Sequence, residues 1–129
     1  MKREIKFRAW DKRELRMIQW QSYFFGEYVF ENRMDETDFV PYEIMQFTGL
    51  KDKNGKEIYE GDILNWTGKR SKDTSEFAYR YIITFENGIF GYRLGNAQVN
   101  KIEPLQGLVE LETYEVIGNI YENPDLLTP

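Results

Sequence analysis

Turn glycines recur along this chain between short segments whose side chains alternate, and no stretch of useful length carries a helical period. Asn54-Gly55, Glu60-Gly61 and Asn87-Gly88 each mark a reversal. Glycine accepts positive φ without steric cost, and Asn-Gly is the dipeptide favoured where two successive residues need it. Reversals at such spacing predict an all-β protein built around a small barrel, which disposes of exposed strand edges by closing on itself. The aromatic content agrees: nine Phe, nine Tyr and three Trp make up 16% of the residues, and these types suit a pleated, half-buried surface.

Along the chain, Ile5, Phe7 and Ala9 alternate with Lys6, Arg8 and Trp10, a period of two that fits a strand with one apolar face. Asp11 to Leu15 is turn-like, and Arg16 to Trp20 resumes the pattern, so the N-terminus reads as a β-hairpin. Gln21 to Glu31 reads as a strand kinked at Gly26, Asn32 to Asp38 as a charged loop, and Ile44 to Thr48 as extended. Lys51 to Lys56 is expected to be a tight reversal, followed by a short strand over Glu57 to Tyr59 and another beginning at Asp62. Gly68 to Glu76 is a polar loop. Phe77 to Glu86 and Ile89 to Leu94 form the clearest hairpin, joined by Asn87-Gly88. A strand near Gln98 to Ile102 is expected to end at Pro104, Tyr114 to Tyr121 is the last strand, and Pro124 is placed to open one helical turn.

Neither cysteine nor histidine occurs, which removes disulfides, thiolate or imidazole zinc ligation, and nucleophile pairs that depend on His. The charged N-terminus has no apolar core of the kind an export signal needs, and no apolar run approaches a membrane span, so the expectation is a soluble cytoplasmic protein. The segment around Asn54 superficially matches a calcium loop, but with Gly55 at the sixth position Leu50 falls first and Gly61 twelfth, so the end ligands are missing. Carboxylates at Asp35, Glu36 and Asp38, and at Glu57, Glu60 and Asp62, have no spacing that selects a catalytic pair. Asp62 reads as a residue that hydrogen-bonds nearby turn amides. No catalytic residue, cofactor or metal site is assigned.

The net charge of −5 is unevenly placed. Residues 1–16 carry an excess of four bases, whereas residues 102–129 hold six acids and no base. Complementary ends suit contact within the fold or between copies. Basic residues mixed with aromatics mark a candidate surface for a partner protein or nucleic acid: Lys6, Arg8, Trp10, Lys12 and Arg13 on the first hairpin, and Lys69, Arg70 and Lys72 in one loop. The competing reading has the tryptophans partly buried and the charges protecting an edge strand.

Four pieces, EIKFRAWD (Glu4 to Asp11), FTGLKDKNGKEIYEGDI (Phe47 to Ile63), ITFENGIF (Ile83 to Phe90) and VIGNIYENPDLL (Val116 to Leu127), resemble the YopX-like family of phage and prophage proteins from low-GC Gram-positive hosts. The resemblance implies an SH3-like small barrel in the C-terminal portion and no particular reaction. It also implies recurrent backbone-shaping residues, here Gly49, Asp52, Gly55, Gly61, Asp62, Gly118 and Pro124. The expected organisation is one compact unit over 1–129, in which an N-terminal β-hairpin segment, 1–46, packs with an SH3-like barrel portion, 47–129. The expected role is that of a non-enzymatic accessory protein that binds an unknown protein partner or forms a homo-oligomer, with nucleic-acid binding as the alternative and no membrane involvement.

Overall fold

The computed structural model describes residues 4–21, 41–68, 79–95, 103–105 and 113–127. Two antiparallel sheets account for nearly all regular structure, and no α-helix occurs among the described residues. The chain divides into two units, Met1–Phe47 and Thr48–Pro129.

In the first unit, β1 (Phe7–Asp11) pairs antiparallel with β2 (Arg16–Ile18), Ala9 opposite Ile18 and Asp11 opposite Arg16. Its other edge pairs with β3 (Tyr42–Lys51), Ala9 opposite Ile44. Asp11 builds the intervening turn by itself: Oδ1 accepts the N–H groups of Arg13 and Glu14, and its carbonyl accepts that of Leu15. Such a side chain, bonding the backbone two and three residues on, is the ordinary reason aspartate opens turns. Buried Ala9 and Ile18, with Phe7, Tyr42 and Ile44 around them, form the small core of this unit.

The expected one-sided burial of β1 is not what forms. Lys6 and Arg8 are buried along with Met45 and Phe47, while Ile5, assigned to the apolar face, is 54% exposed. A strand between two neighbours has no free edge, and both faces of β1 are covered. Long basic side chains tolerate this because their methylene stems are apolar. The Lys6 ammonium pairs with Glu4 at 2.9 Å and sits 4.8 Å from the centre of the Phe47 ring.

In the second unit, β4 (Glu57–Tyr59) neighbours β3. There the Thr48 hydroxyl donates to the carbonyl of Ile58. A five-stranded sheet follows, formed by β5 (Asp62–Trp66), β6 (Arg80–Glu86), β7 (Ile89–Leu94), β8 (Glu103–Pro104) and β9 (Tyr114–Asn119) in the order β8-β7-β6-β5-β9. The predicted β6–β7 hairpin forms in the predicted register, Tyr81 opposite Leu94 and Glu86 opposite Ile89. Both turn residues, Asn87 and Gly88, take positive φ. Ile58, Leu64, Ile83 and Leu105 make the core, and Tyr81, Phe90, Tyr92, Tyr114 and Val116 pack against it. Tyr81 sets its ring edge-on to both Tyr92 and Tyr114. A register shift opposite Ile63 and Leu64 leaves Ile117 as the extra residue of a bulge in β9.

Two local expectations change. Pro104 is the last residue of its strand, as expected, but it takes a ladder position there, paired with Gly91, while Glu103 pairs with Tyr92. Proline is tolerated there because β8 is an edge, where a missing N–H costs no ladder bond. Of the Asn54-Gly55 pair only Gly55 has positive φ. The Gly55 N–H donates to the Asp52 carbonyl and the Asp52 N–H to that of Lys56, the pattern of a three-residue loop closed by a left-handed glycine. The expected helical turn at Pro124 is a short 3-10 turn over Pro124–Leu127. The strand read at 21–31 and the polar loop at 68–76 each have only their first residue among those described, and the charged loop at 32–38 and the strand at 98–102 lie wholly outside them.

Candidate functional site

The dense run of Gly, Asp and Lys between Gly49 and Asp62 is the most distinctive stretch of the sequence, and two of its aspartates, Asp52 and Asp62, hold backbone. Asp52 is buried. Its Oδ1 accepts the N–H groups of Asn54 at 2.8 Å and Lys56 at 2.9 Å, and its Oδ2 accepts that of Val116 at 2.8 Å. The adjacent Lys53 N–H donates to the Tyr114 carbonyl. Because β9 is the last strand of its sheet, its outward N–H and C=O groups would otherwise face no strand. Asp52 and Lys53 supply one acceptor and one donor to that edge, so the turn both reverses the chain and closes a sheet margin.

Asp62 is 1% exposed, and its Oδ2 accepts the N–H of Tyr59 at 2.8 Å. This ties the second reversal, in which Gly61 has φ of 83°. The Gly61 N–H donates to the Ile83 carbonyl and its own carbonyl accepts the Ile120 N–H, placing the reversal between β6 and the end of β9. At that end Asn119 repeats the device: its Oδ1 accepts the N–H groups of Tyr121 and Glu122, its Nδ2 donates to Glu122, and its N–H donates to Asn123 Oδ1. Gly118 is required by this cap, since a β-carbon there would lie 2.5 Å from Asn123 Oδ1. The sequence reads Asp62 as a residue that holds turn amides, and the family resemblance implies that Gly118 shapes backbone; the role of Asn119 and the reach of Asp52 to Val116, 64 residues away, are visible only in the fold.

Of the basic and aromatic candidates, the fold keeps Lys6 and Arg8 buried and leaves Trp10 half-buried. Lys12 and Arg13 are exposed on the β1–β2 turn, where Lys12 pairs with Glu43 at 2.8 Å. Lys69, Arg70 and Lys72 lie outside the described residues, as do Asp35, Glu36 and Asp38. Glu57 and Glu60 are half-buried in the double turn. Among the described residues no group of acidic side chains is placed to hold a metal ion, and no helix is long and apolar enough to cross a membrane.

Exposed apolar side chains at hairpin ends were not singled out by the sequence pattern. Leu15 is 69% exposed on the β1–β2 turn and has φ of 53°, a left-handed conformation that leucine rarely takes. Phe85 and Ile89, each 45% exposed, flank the β6–β7 turn, with Phe85 set against Phe90 at 4.9 Å between ring centres.

The chain is similar in fold to the crystal structure of protein EF1440 from Enterococcus faecalis, with a TM-score of 0.67 and 31% identity, covering 98% of this chain and 99% of that one. It is 35% identical over 75 residues to the SPbeta prophage-derived uncharacterized protein YopX of Bacillus subtilis (strain 168). That match takes in 57% of this chain and 52% of the relative, so it spans about half the relative's length. The profile of the YopX protein family matches residues 6–128, and the chain belongs to that family.

Proposed function

We propose that this chain is a non-enzymatic accessory protein of a phage or prophage, working in the bacterial cytoplasm by binding a protein partner or by assembling with itself. In this reading residues 47–129 serve as an SH3-like barrel, and the first hairpin is a second binding element. The observation that carries it is the occupation of Asp52 and Asp62. The carboxylates of the most chemically suggestive motif accept backbone amides, and a chain without His or Cys has few other groups to poise as base or nucleophile. The prophage origin of the Bacillus subtilis relative supports the mobile-element setting. Burial of Lys6 and Arg8 weighs for a protein partner over nucleic acid, because a polyanion needs accessible cations.

The test is affinity capture with the full chain from nuclease-treated lysate of the host, coupled to light scattering of the purified protein. Recovery of a stoichiometric protein partner, or a purified protein larger than a monomer, is the expected result. A monomer that recovers no protein, yet binds single or double strands with an affinity that falls steeply as salt rises, would replace this reading with nucleic-acid binding.

A further inference from the structure

The chain contains two Asn-Gly dipeptides, Asn54-Gly55 and Asn87-Gly88, and all four residues are exposed. In such a pair a backbone nitrogen readily attacks the preceding side chain, because glycine puts no β-carbon beside its own N–H and asparagine offers an amide carbonyl one residue back. The two pairs are held differently. At the first, the Gly55 N–H donates to the Asp52 carbonyl at 3.0 Å, and Asp52 Oδ1 accepts the Asn54 and Lys56 N–H groups on either side. The nitrogen that would attack is engaged, and turning the Asn54 side chain onto it means opening a tied loop. At the second, no group of the described residues accepts the Gly88 N–H, and the Asn87 side chain makes no hydrogen bond among them. Their φ values of 81° and 54° belong to a two-residue hairpin turn. Charge argues the other way, since Lys53 and Lys56 flank the first pair and favour the anion formed when an amide nitrogen loses its proton, whereas Glu86 precedes the second. Exposed charges act weakly through water, however, and the Glu86 carboxylate is paired with Arg93 at 2.6 Å, so the difference in hydrogen bonding wins.

We infer that Asn87-Gly88 is a self-modifying site and that Asn54-Gly55 is protected from the same reaction. The deprotonated Gly88 nitrogen forms a bond to Asn87 Cγ, the bond from Cγ to the side-chain nitrogen breaks, and ammonia leaves, closing a cyclic imide. Water then opens the ring. Attack at Cγ gives aspartate; attack at the Asn87 backbone carbonyl gives isoaspartate, in which the main chain runs through the former side chain and gains a carbon. Either product adds a negative charge beside Glu86. Isoaspartate also lengthens the link whose geometry sets Glu86 opposite Ile89. The hairpin tip, where Phe85 rests on Phe90 and Ile89 is exposed, therefore loosens as the protein ages. This chemistry is independent of the binding reading above.

Peptide mapping by mass spectrometry tests this on the full chain held folded in mildly alkaline buffer and sampled over weeks, beside the same chain unfolded in urea. Each conversion exchanges NH2 for OH and raises the mass of its fragment by about one dalton. In urea the two sites convert at similar rates, which fixes their intrinsic reactivity. In the folded chain the Asn87 fragment converts roughly tenfold or more faster than the Asn54 fragment, because only the second must wait for its loop to open. The thermal midpoint of the folded sample falls as Asn87 converts. Asn87→Gly, at ease with positive φ, abolishes both the fast conversion and that fall. Equal rates at the two sites in the folded chain overturn the inference, as does an Asn87 left intact over the time in which the urea-treated chain converts.

Discussion

Asp52 concentrates the chemistry of this fold at the scale of a single residue. One carboxylate accepts three amides, two in its own turn and one in β9. Hydrogen bonds to an ionised acceptor are stronger than neutral ones, and a buried N–H left without an acceptor costs more than the bond was worth. Asp52→Ala is therefore expected to destabilise the protein by about 2–4 kcal/mol, measured by urea denaturation. Asp52→Asn keeps one acceptor oxygen but turns an NH2 toward an amide donor, and is expected to cost about 1–3 kcal/mol. If the alanine variant matches the parent, the carboxylate is not the clamp described. Gly118→Ala makes a purely steric test, because nothing about its φ demands glycine. Its β-carbon would meet Asn123, and the expected loss is about 1–3 kcal/mol, smaller when Asn123→Gly is introduced with it.

Among the elements, those whose shape is decided by adjacent residues were readable from the sequence and those decided by distant neighbours were not. The β6–β7 hairpin follows from alternation and one Asn-Gly pair, both local, and it forms in the expected register. The same dipeptide at Asn54-Gly55 forms a different loop, because the Asp52 carboxylate captures the Asn54 and Lys56 amides and Asn54 keeps negative φ. In β1 the alternation of Ile5, Phe7 and Ala9 with Lys6, Arg8 and Trp10 is real, yet it misreads burial: whether a row of side chains meets water depends on what else the chain lays over it. The strand expected to end at Pro104 carries its ladder pairs at Glu103 and Pro104 themselves, which the sequence does not show because proline argues against a ladder position unless the edge is already known. The two Asn-Gly turns should answer mutation at different positions. At the β6–β7 turn both residues are left-handed and a β-carbon on Gly88 would meet nothing within 4 Å, so Gly88→Ala is expected to cost about 1–2 kcal/mol of backbone strain alone. Asn87→Gly should change stability by only a few tenths of a kcal/mol, whereas Asn54→Gly should destabilise slightly, since a flexible residue replaces one already at negative φ. Thermal melts of the three variants discriminate the two loop geometries.

For the whole molecule, the unequal cores of the two units set an expectation for folding. Thr48–Pro129 owns Ile58, Leu64, Ile83 and Leu105 with five further large side chains packed around them, and its sheet margin is closed by Asp52 from within the same unit. Among the described residues, Met1–Phe47 has a core of Ala9 and Ile18 with three partly buried neighbours. A chain of that length buries too small a share of its surface to offset conformational entropy comfortably, and this unit has neither disulfide nor cysteine to constrain it. Residues 48–129 expressed alone are expected to unfold cooperatively, with an m-value reduced in keeping with the smaller surface exposed, and residues 1–47 alone to give the circular dichroism of an unfolded chain. Introducing Asp52→Ala into the longer fragment should cost it the same few kcal/mol as in the full chain, because every bond that side chain makes lies inside residues 48–129. A fragment 48–129 without a cooperative transition would mean that its core depends on the preceding hairpin, and the clamp at Asp52 would then be insufficient to hold the sheet by itself.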